Sequence, residues 1–222
     1  MDSSIKEIYN RIKDDQNIIN IYKEIETFEE NNKGWAFHNY SHINNVSLLV
    51  SKILKELNFD EDYIYKALIA CILHDTGAVT GKENHAYRSY VYAKDYFFTN
   101  DIKFEGMDLV LEAIRIHSDG FDTNNEIALA LILADKLDIK KDRISSFGLT
   151  IPGNRQYAHM EDIDILIKDG ILTISFLSDN RIDLKELNEY YFTKKVFNAI
   201  KSFASKLGLK YKVLLDGEKW NI

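Results

Sequence analysis

The run Ala128-Leu-Ala-Leu-Ile-Leu-Ala134 is apolar on every face of a helix, and the next residue is Asp135. A helix that is apolar all round has to be buried. It carries the carboxylate inside with it, where an ionised group is stable only beside a partner, and a metal ion is one such partner. The same situation recurs upstream, where the apolar run Ala67–Leu73 ends in His74-Asp75 just before a loop glycine, Gly77. The fold must therefore close a helical core around at least two ionisable clusters. With 45% hydrophobic residues, one proline and ten glycines in 222 residues, it has enough apolar material for a large core and few helix breakers.

Periodicity predicts the elements. Ile5, Ile8, Tyr9 and Ile12 form one helical stripe, in a region closed by Asn31-Asn32-Lys33-Gly34. Ser41 is read as the cap of a helix to about Leu57, with Ile43, Val46, Leu49, Val50 and Ile53 on its apolar face, and Asp60 as the cap of the next. Further helices are expected over 83–98, 107–117 and 125–145. The pattern changes near Phe147. Ile163, Ile165 and Ile167 alternate with polar residues, Asp169-Gly170 follows, and Leu172, Ile174 and Phe176 alternate again, which is a hairpin signal. A helix over 183–207 and a strand over 210–215 complete the expectation. The fold class is mainly α: a helical bundle over residues 1–147 and a small C-terminal α+β appendage over 148–222, made of a hairpin, a helix and a strand.

A net charge of −7 argues against a duplex nucleic-acid or anionic-membrane binder, yet allows a local basic pocket. The single cysteine, Cys71, lies in an apolar run and reads as packing. The polar stretch Met1–Asn20 has no signal-peptide core, and no apolar run reaches a membrane span. A cytoplasmic location is expected, with a homo-oligomer left open.

Five of the six histidines lie between positions 38 and 117, in strings such as Phe37-His38-Asn39-Tyr40-Ser41-His42 and His74-Asp75, with His85 and His117 beyond. Imidazole and carboxylate together suit Zn, Fe, Mn and similar ions. The ordered set His42, His74-Asp75, Asp135 resembles the H…HD…D signature of the HD superfamily of metal-dependent phosphohydrolases. The surrounding strings His42-Ile-Asn-Asn-Val46, Ala70-Cys-Ile-Leu-His-Asp-Thr-Gly77 and Leu131-Ile-Leu-Ala-Asp-Lys136 are also similar, and the likeness covers roughly residues 35–145.

The resemblance implies an all-α HD domain with His42, His74, Asp75 and Asp135 holding one metal. His85 and His117 look like the two extra histidines that hold a second metal in many members, with Asp75 bridging. This six-ligand set resembles bacterial dinucleoside tetraphosphate hydrolases of the superfamily and also its mixed-valent di-iron oxygenases. His38 sits in a string similar to that of cyclic nucleotide phosphodiesterases, which makes it a candidate general acid. The cofactors implied are one or two divalent ions per chain (Fe, Mn, Zn, Co or Ni, with Mg at the second site as an option).

The function implied is hydrolysis of a phosphate ester or anhydride, with a small phosphorylated substrate, a nucleotide, attacked by metal-activated hydroxide at a mono- or dinuclear site. His38 and Asp75 would be catalytic, and Lys82, Arg88 and Arg143 would bind substrate. The alternatives are a di-iron oxygenase and a non-catalytic metal- or nucleotide-binding regulator. The sequence departs from the family pattern at two places: a frequent Lys after the HD pair is replaced by Thr76-Gly-Ala-Val-Thr80, and a frequent Arg is Asn45. Asp138 and Asp142 share a helix face with Asp135 and read first as a solvated acidic face, with support of the metal ligands as the alternative; His159 reads as a surface residue, and Tyr87, Tyr90, Tyr92 and Tyr96 as core packing with room for base stacking.

Overall fold

The computed structural model describes residues 4–222. The first three residues of the polar N-terminal stretch lie outside them. The N-terminal part is helical: α1 (Ile5–Lys13), α2 (Gln16–Asn31), α3 (Tyr40–Glu56), α4 (Glu61–Leu73), α5 (His85–Thr99), α6 (Met107–Ile116) and α7 (Glu126–Leu137). The first helical region is thus two helices, because Asp15 accepts from the backbone of Asn17 and starts α2 afresh. A short 3₁₀ turn, Thr76–Thr80, fills the loop between Gly77 and Gly81.

The core is formed by the stripes that the periodicity marks out. Ile43, Val46, Val50 and Ile53 of α3 and residues 127–134 of α7 are fully or almost fully buried. Two caps differ from expectation. Asn39, not Ser41, caps α3, accepting from His42 N at 3.0 Å, while Ser41 donates to Asp142. Asp60 caps α4, accepting from Tyr63 N at 2.8 Å. Helix α7 stops at Leu137 rather than near Ser145. Asp138 leaves helical geometry with ψ 80°, and the chain turns back through a single 3₁₀ turn, Lys141–Arg143.

The C-terminal part contains β1 (Met160–Lys168), β2 (Ile171–Ser178), α8 (Leu184–Glu189), α9 (Tyr191–Lys206), β3 (Lys210–Leu215) and β4 (Glu218–Lys219). β1 and β2 form the antiparallel hairpin, with Asp169 and Gly170 both at positive φ as its two-residue turn requires. β3 runs parallel to β2, and β4 closes the sheet in the order β1-β2-β3-β4. The expected single helix over 183–207 is broken at Tyr190, where the backbone is extended. β1 packs on α3 and α9 on α7, so the two parts share one continuous hydrophobic core. No helix among the described residues is long and apolar enough to cross a membrane.

Asn39 holds the first turn of the helix that carries His42. Asn39→Ala is expected to cost about 1 kcal/mol, seen in urea denaturation as a lower midpoint with an unchanged slope. An unshifted midpoint would show that the cap does not matter to the fold.

Candidate metal centre

Helix ends build the centre. His74 caps the C-terminus of α4, His117 caps the C-terminus of α6, and Asp135 lies in the last turn of α7. Three helix ends therefore bring their side chains to one place. His42 comes from the first turn of α3 and His85 from the first residue of α5.

Asp75 is at the middle and is buried. Its Oδ2 lies 3.1 Å from His74 Nε2 and 3.5 Å from His42 Nε2. Its Oδ1 lies 3.4 Å from both His85 Nε2 and His117 Nε2. Asp135 Oδ1 is 3.3 Å from His42 Nε2. The carboxylate thus faces two separate pairs of imidazoles, one per oxygen. The groups His42–His74–Asp135 and His74–Asp75–His117 each bring their donor atoms within 4.8 Å of one another.

The outer nitrogen of each ring is already occupied. His42 Nδ1 is 2.6 Å from Asp138 Oδ2, and the Nδ1 atoms of His74, His85 and His117 each lie 2.8 Å from a backbone carbonyl, of Cys71, Lys82 and Ile114 respectively. A carbonyl only accepts, so those three nitrogens carry the proton and donate it. Their Nε2 atoms then present lone pairs inward, the tautomer a metal ligand needs. The His85 and His117 Nε2 atoms are 2.9 Å apart. Two lone pairs at that distance repel unless a cation lies against them. His42 Nε2, His74 Nε2 and both oxygens of Asp75 are buried without a hydrogen-bond partner. Unsatisfied buried donors and acceptors are costly. Here they are grouped as imidazole and carboxylate around common points, so the residues present fit one or two divalent ions.

The electrostatics agree. Burial opposes charge on Asp75, yet the surrounding histidines, His74 first, hold its carboxyl well below the usual range. Burial and Arg143 push the His42 imidazole down, but its contacts with Asp135, Asp138 and Asp75 outweigh them and raise it to about 10. These carboxylates demand positive charge at this point.

Around the ligands the structure gives Asp138 and Asn45 a supporting role and adds Glu29, which the sequence did not single out. Asp138 is buried and grips His42; it belongs to no solvated face, because the chain bends inward after Leu137. Asn45 donates to Asp138 at 3.1 Å and to Asp142, so the amide at this departure from the family pattern braces the acid that braces His42. Glu29 of α2 is buried against His38, accepting from His38 N at 2.7 Å and lying 2.5 Å from its Nδ1. Burial, with Lys82 adding to it, lowers the His38 imidazole to about 4, against the pull of Asp75 and Glu29.

The three candidate substrate cations separate. Lys82 stands at the mouth of the pocket, where its surroundings and Arg143 press its ammonium pKa down. Arg143 is buried, with Nη1 donating to the carbonyls of Asp135 and Asp138 and Nη2 3.3 Å from Asp135 Oδ1 and 3.4 Å from His38 Nε2. Arg88 does not reach the pocket. Its guanidinium is spent on the carbonyls of Gly77, Gly81 and Glu83, so it shapes the loop that carries Lys82. The tyrosines of α5 do not line the pocket either; Trp35, Tyr157, Tyr190 and Tyr191 do. His159 is a partly buried partner of Asp179 outside the pocket.

The ligands open into a cavity of about 600 Å³, within the range of small-molecule sites. Asp75, His85 and Asp135 reach it from below. Lys33, Lys82, Lys136, Lys140, Arg143 and Lys195 line it beside the carboxylates Glu29, Asp75, Asp135 and Asp138, so cations outnumber acids there on a chain of net −7.

A helical fold with a His/Asp cluster where five helices meet, beneath a cavity lined by cations, is one able to hold divalent metal. Residues 39–140, within the helical part, match the family model of the HD domain, so this segment is an HD domain of the kind found in metal-dependent phosphohydrolases. A comparison with curated proteins found no match.

Asp138→Asn keeps the shape but removes the charge behind His42. Metal affinity is expected to fall about 10- to 100-fold, measured by competition with a chelating dye; unchanged affinity would show that Asp138 does not support the ligand. A second test follows from the raised pKa of His42. In the metal-free protein its imidazole stays protonated from the unfolded value of about 6.5 up to about 10, and that contribution to stability is lost as pH rises through this window. Metal entry at pH 7–8 must therefore expel a proton, and affinity should rise with pH. Calorimetric titration in buffers of different ionisation enthalpy reads the proton count, and zero release would contradict this charge state.

Proposed function

We propose that this protein hydrolyses a phosphate ester or anhydride of a small molecule, a nucleotide, at a dinuclear metal centre. The observation that supports this reading most is Asp75, with one oxygen toward His42 and His74 and the other toward His85 and His117, directly beneath a cation-lined cavity. His42, His74, Asp75 and Asp135 would hold the first ion, and Asp75, His85 and His117 the second. Bound divalent ions supply an activated water at neutral pH and neutralise phosphoryl oxygens.

The chain's own residues then handle charge and protons. The cations at the cavity walls, Lys82, Lys136 and Lys140 among them, attract and orient an anionic phosphoryl group. Lys136 is already paired with Asp135, Nζ to Oδ2 at 2.6 Å, so it neutralises a ligand carboxylate as well as facing substrate. Arg143 is fixed by the two carbonyls at the end of α7, which leaves its Nη2 edge beside Asp135 and His38. The ring of His38 is oriented by Glu29 through Nδ1. With its pKa lowered, His38 rests neutral, with Nε2 as the acceptor facing the Arg143 Nη2 edge at 3.4 Å. It would serve the leaving oxygen by taking at Nε2 the proton of a monoprotonated phosphoryl group and passing it to the leaving oxygen as the phosphorus–oxygen bond breaks.

General acid assistance matters most for a poor leaving group. His38→Asn is expected to lower kcat by about 100-fold or more on a nucleoside monophosphate, and far less on p-nitrophenyl phosphate, whose phenolate leaves unaided. Phosphate release by the metal-loaded protein measures both. Equal losses on the two substrates would remove His38 from the proton path. No metal-dependent phosphate release from any nucleotide or dinucleoside polyphosphate would remove the proposed reaction.

A further inference from the structure

One cavity runs from the metal ligands to a wall made by the C-terminal part of the chain. Trp35, on the loop before α3, and Tyr191, the first residue of α9, meet there with ring centroids 6.1 Å apart and planes at 69°. Both rings are left open to solvent, 37% for Trp35 and 50% for Tyr191. The backbone that carries them is rigidly built. The buried Asn154 donates to the carbonyls of Trp35 (3.2 Å) and Gly148 (3.1 Å) and accepts from the hydroxyl of Tyr190 (3.1 Å). There is no space for a side chain at Gly148, where a Cβ would fall 2.0 Å from Trp35 O, nor at Gly153, where it would fall 2.4 Å from Tyr190 Cβ. Two exposed aromatic rings, set at a near right angle on a fixed frame, make a corner that takes a planar ring by its face on one side and its edge on the other.

We infer that the C-terminal appendage and the loop before α3 together form a substrate subsite, in which Trp35 and Tyr191 hold the heteroaromatic base of a nucleotide while its phosphate reaches the metal centre. This rests on the proposed phosphohydrolase reading and assigns specificity to residues outside the helical ligand set. Lys195, one turn along α9, has its ammonium 5.2 Å from the Tyr191 ring centroid and lines the same cavity, so the corner also carries positive charge toward an electron-rich base. The appendage thereby forms the side of the pocket that the helical bundle leaves open.

The test compares ligands that share a phosphate and differ in the base. Binding of the four ribonucleoside monophosphates and of ribose 5-phosphate to the manganese-loaded full chain is measured by calorimetry, and hydrolysis of the same set by phosphate release. At least one nucleotide is expected to bind ten-fold or more tightly than ribose 5-phosphate. Trp35→Ala and Tyr191→Ala should each weaken that nucleotide by about five- to a hundredfold, mainly in KM, and leave ribose 5-phosphate unchanged. Tyr191→Phe should restore binding, because the ring does the holding. Phe98→Ala, which removes a still more exposed ring on α5, should change nothing.

Equal binding of all the nucleotides and ribose 5-phosphate, or equal losses on both ligand types in the two alanine variants, would overturn the subsite. Base-dependent binding without turnover of any ligand would leave the subsite standing and overturn the hydrolytic reading instead.

Discussion

The structure is organised around a carboxylate that the protein alone does not satisfy. Asp75 is buried with both oxygens lacking a hydrogen-bond donor, and four imidazoles aim at it. Such a group would cost several kcal/mol if left unpaired. Its surroundings are arranged to make a cation the natural occupant. The outer ring nitrogens are tied to carbonyls and to Asp138, and Asp135 adds a second carboxylate. The helical bundle is the device that brings these groups together, since His42, His74, His85, His117 and Asp135 come from five different helices or helix ends.

Charge is divided between two layers. The deep layer is carboxylate and imidazole and calls for metal. The outer layer carries lysines and Arg143 and calls for anion. Arg143 and Lys136 stand at the boundary, each in contact with Asp135. An anionic substrate would be drawn through the outer layer toward the ions in the inner one. The appendage adds aromatic surface to the outer layer, and its shared core with α3 and α7 fixes that surface relative to the ligands.

Much of the centre was legible in the sequence because it stands out against apolar surroundings. Asp135 and the His74-Asp75 pair each follow a run with no other polar residue, so burial could be inferred from local pattern. The hairpin was legible because Asp169-Gly170 lies between two alternating runs. The supporting residues were not, and the reasons are physical. Glu29 lies on an amphipathic helix among other glutamates, and only the packing of α2 against the loop at His38 distinguishes it. Asp138 looked solvated because continuing α7 to Ser145 placed it on a helix face with Asp142; the chain turns at Leu137 and buries it. Arg88 is close in sequence to the ligands, but three loop carbonyls satisfy its guanidinium. Trp35 and Tyr191 are 156 positions apart, and no local signal joins them.

The most direct measurement is the metal content per chain of the purified protein after reconstitution with manganese, iron or zinc, beside the same count for Asp75→Asn. Two ions per wild-type chain are expected, with loss of both when the shared carboxylate loses its charge. A folded wild-type protein that retains less than one ion per chain under saturating metal, or an Asp75→Asn variant that still retains two, would contradict the bridged centre on which everything else rests.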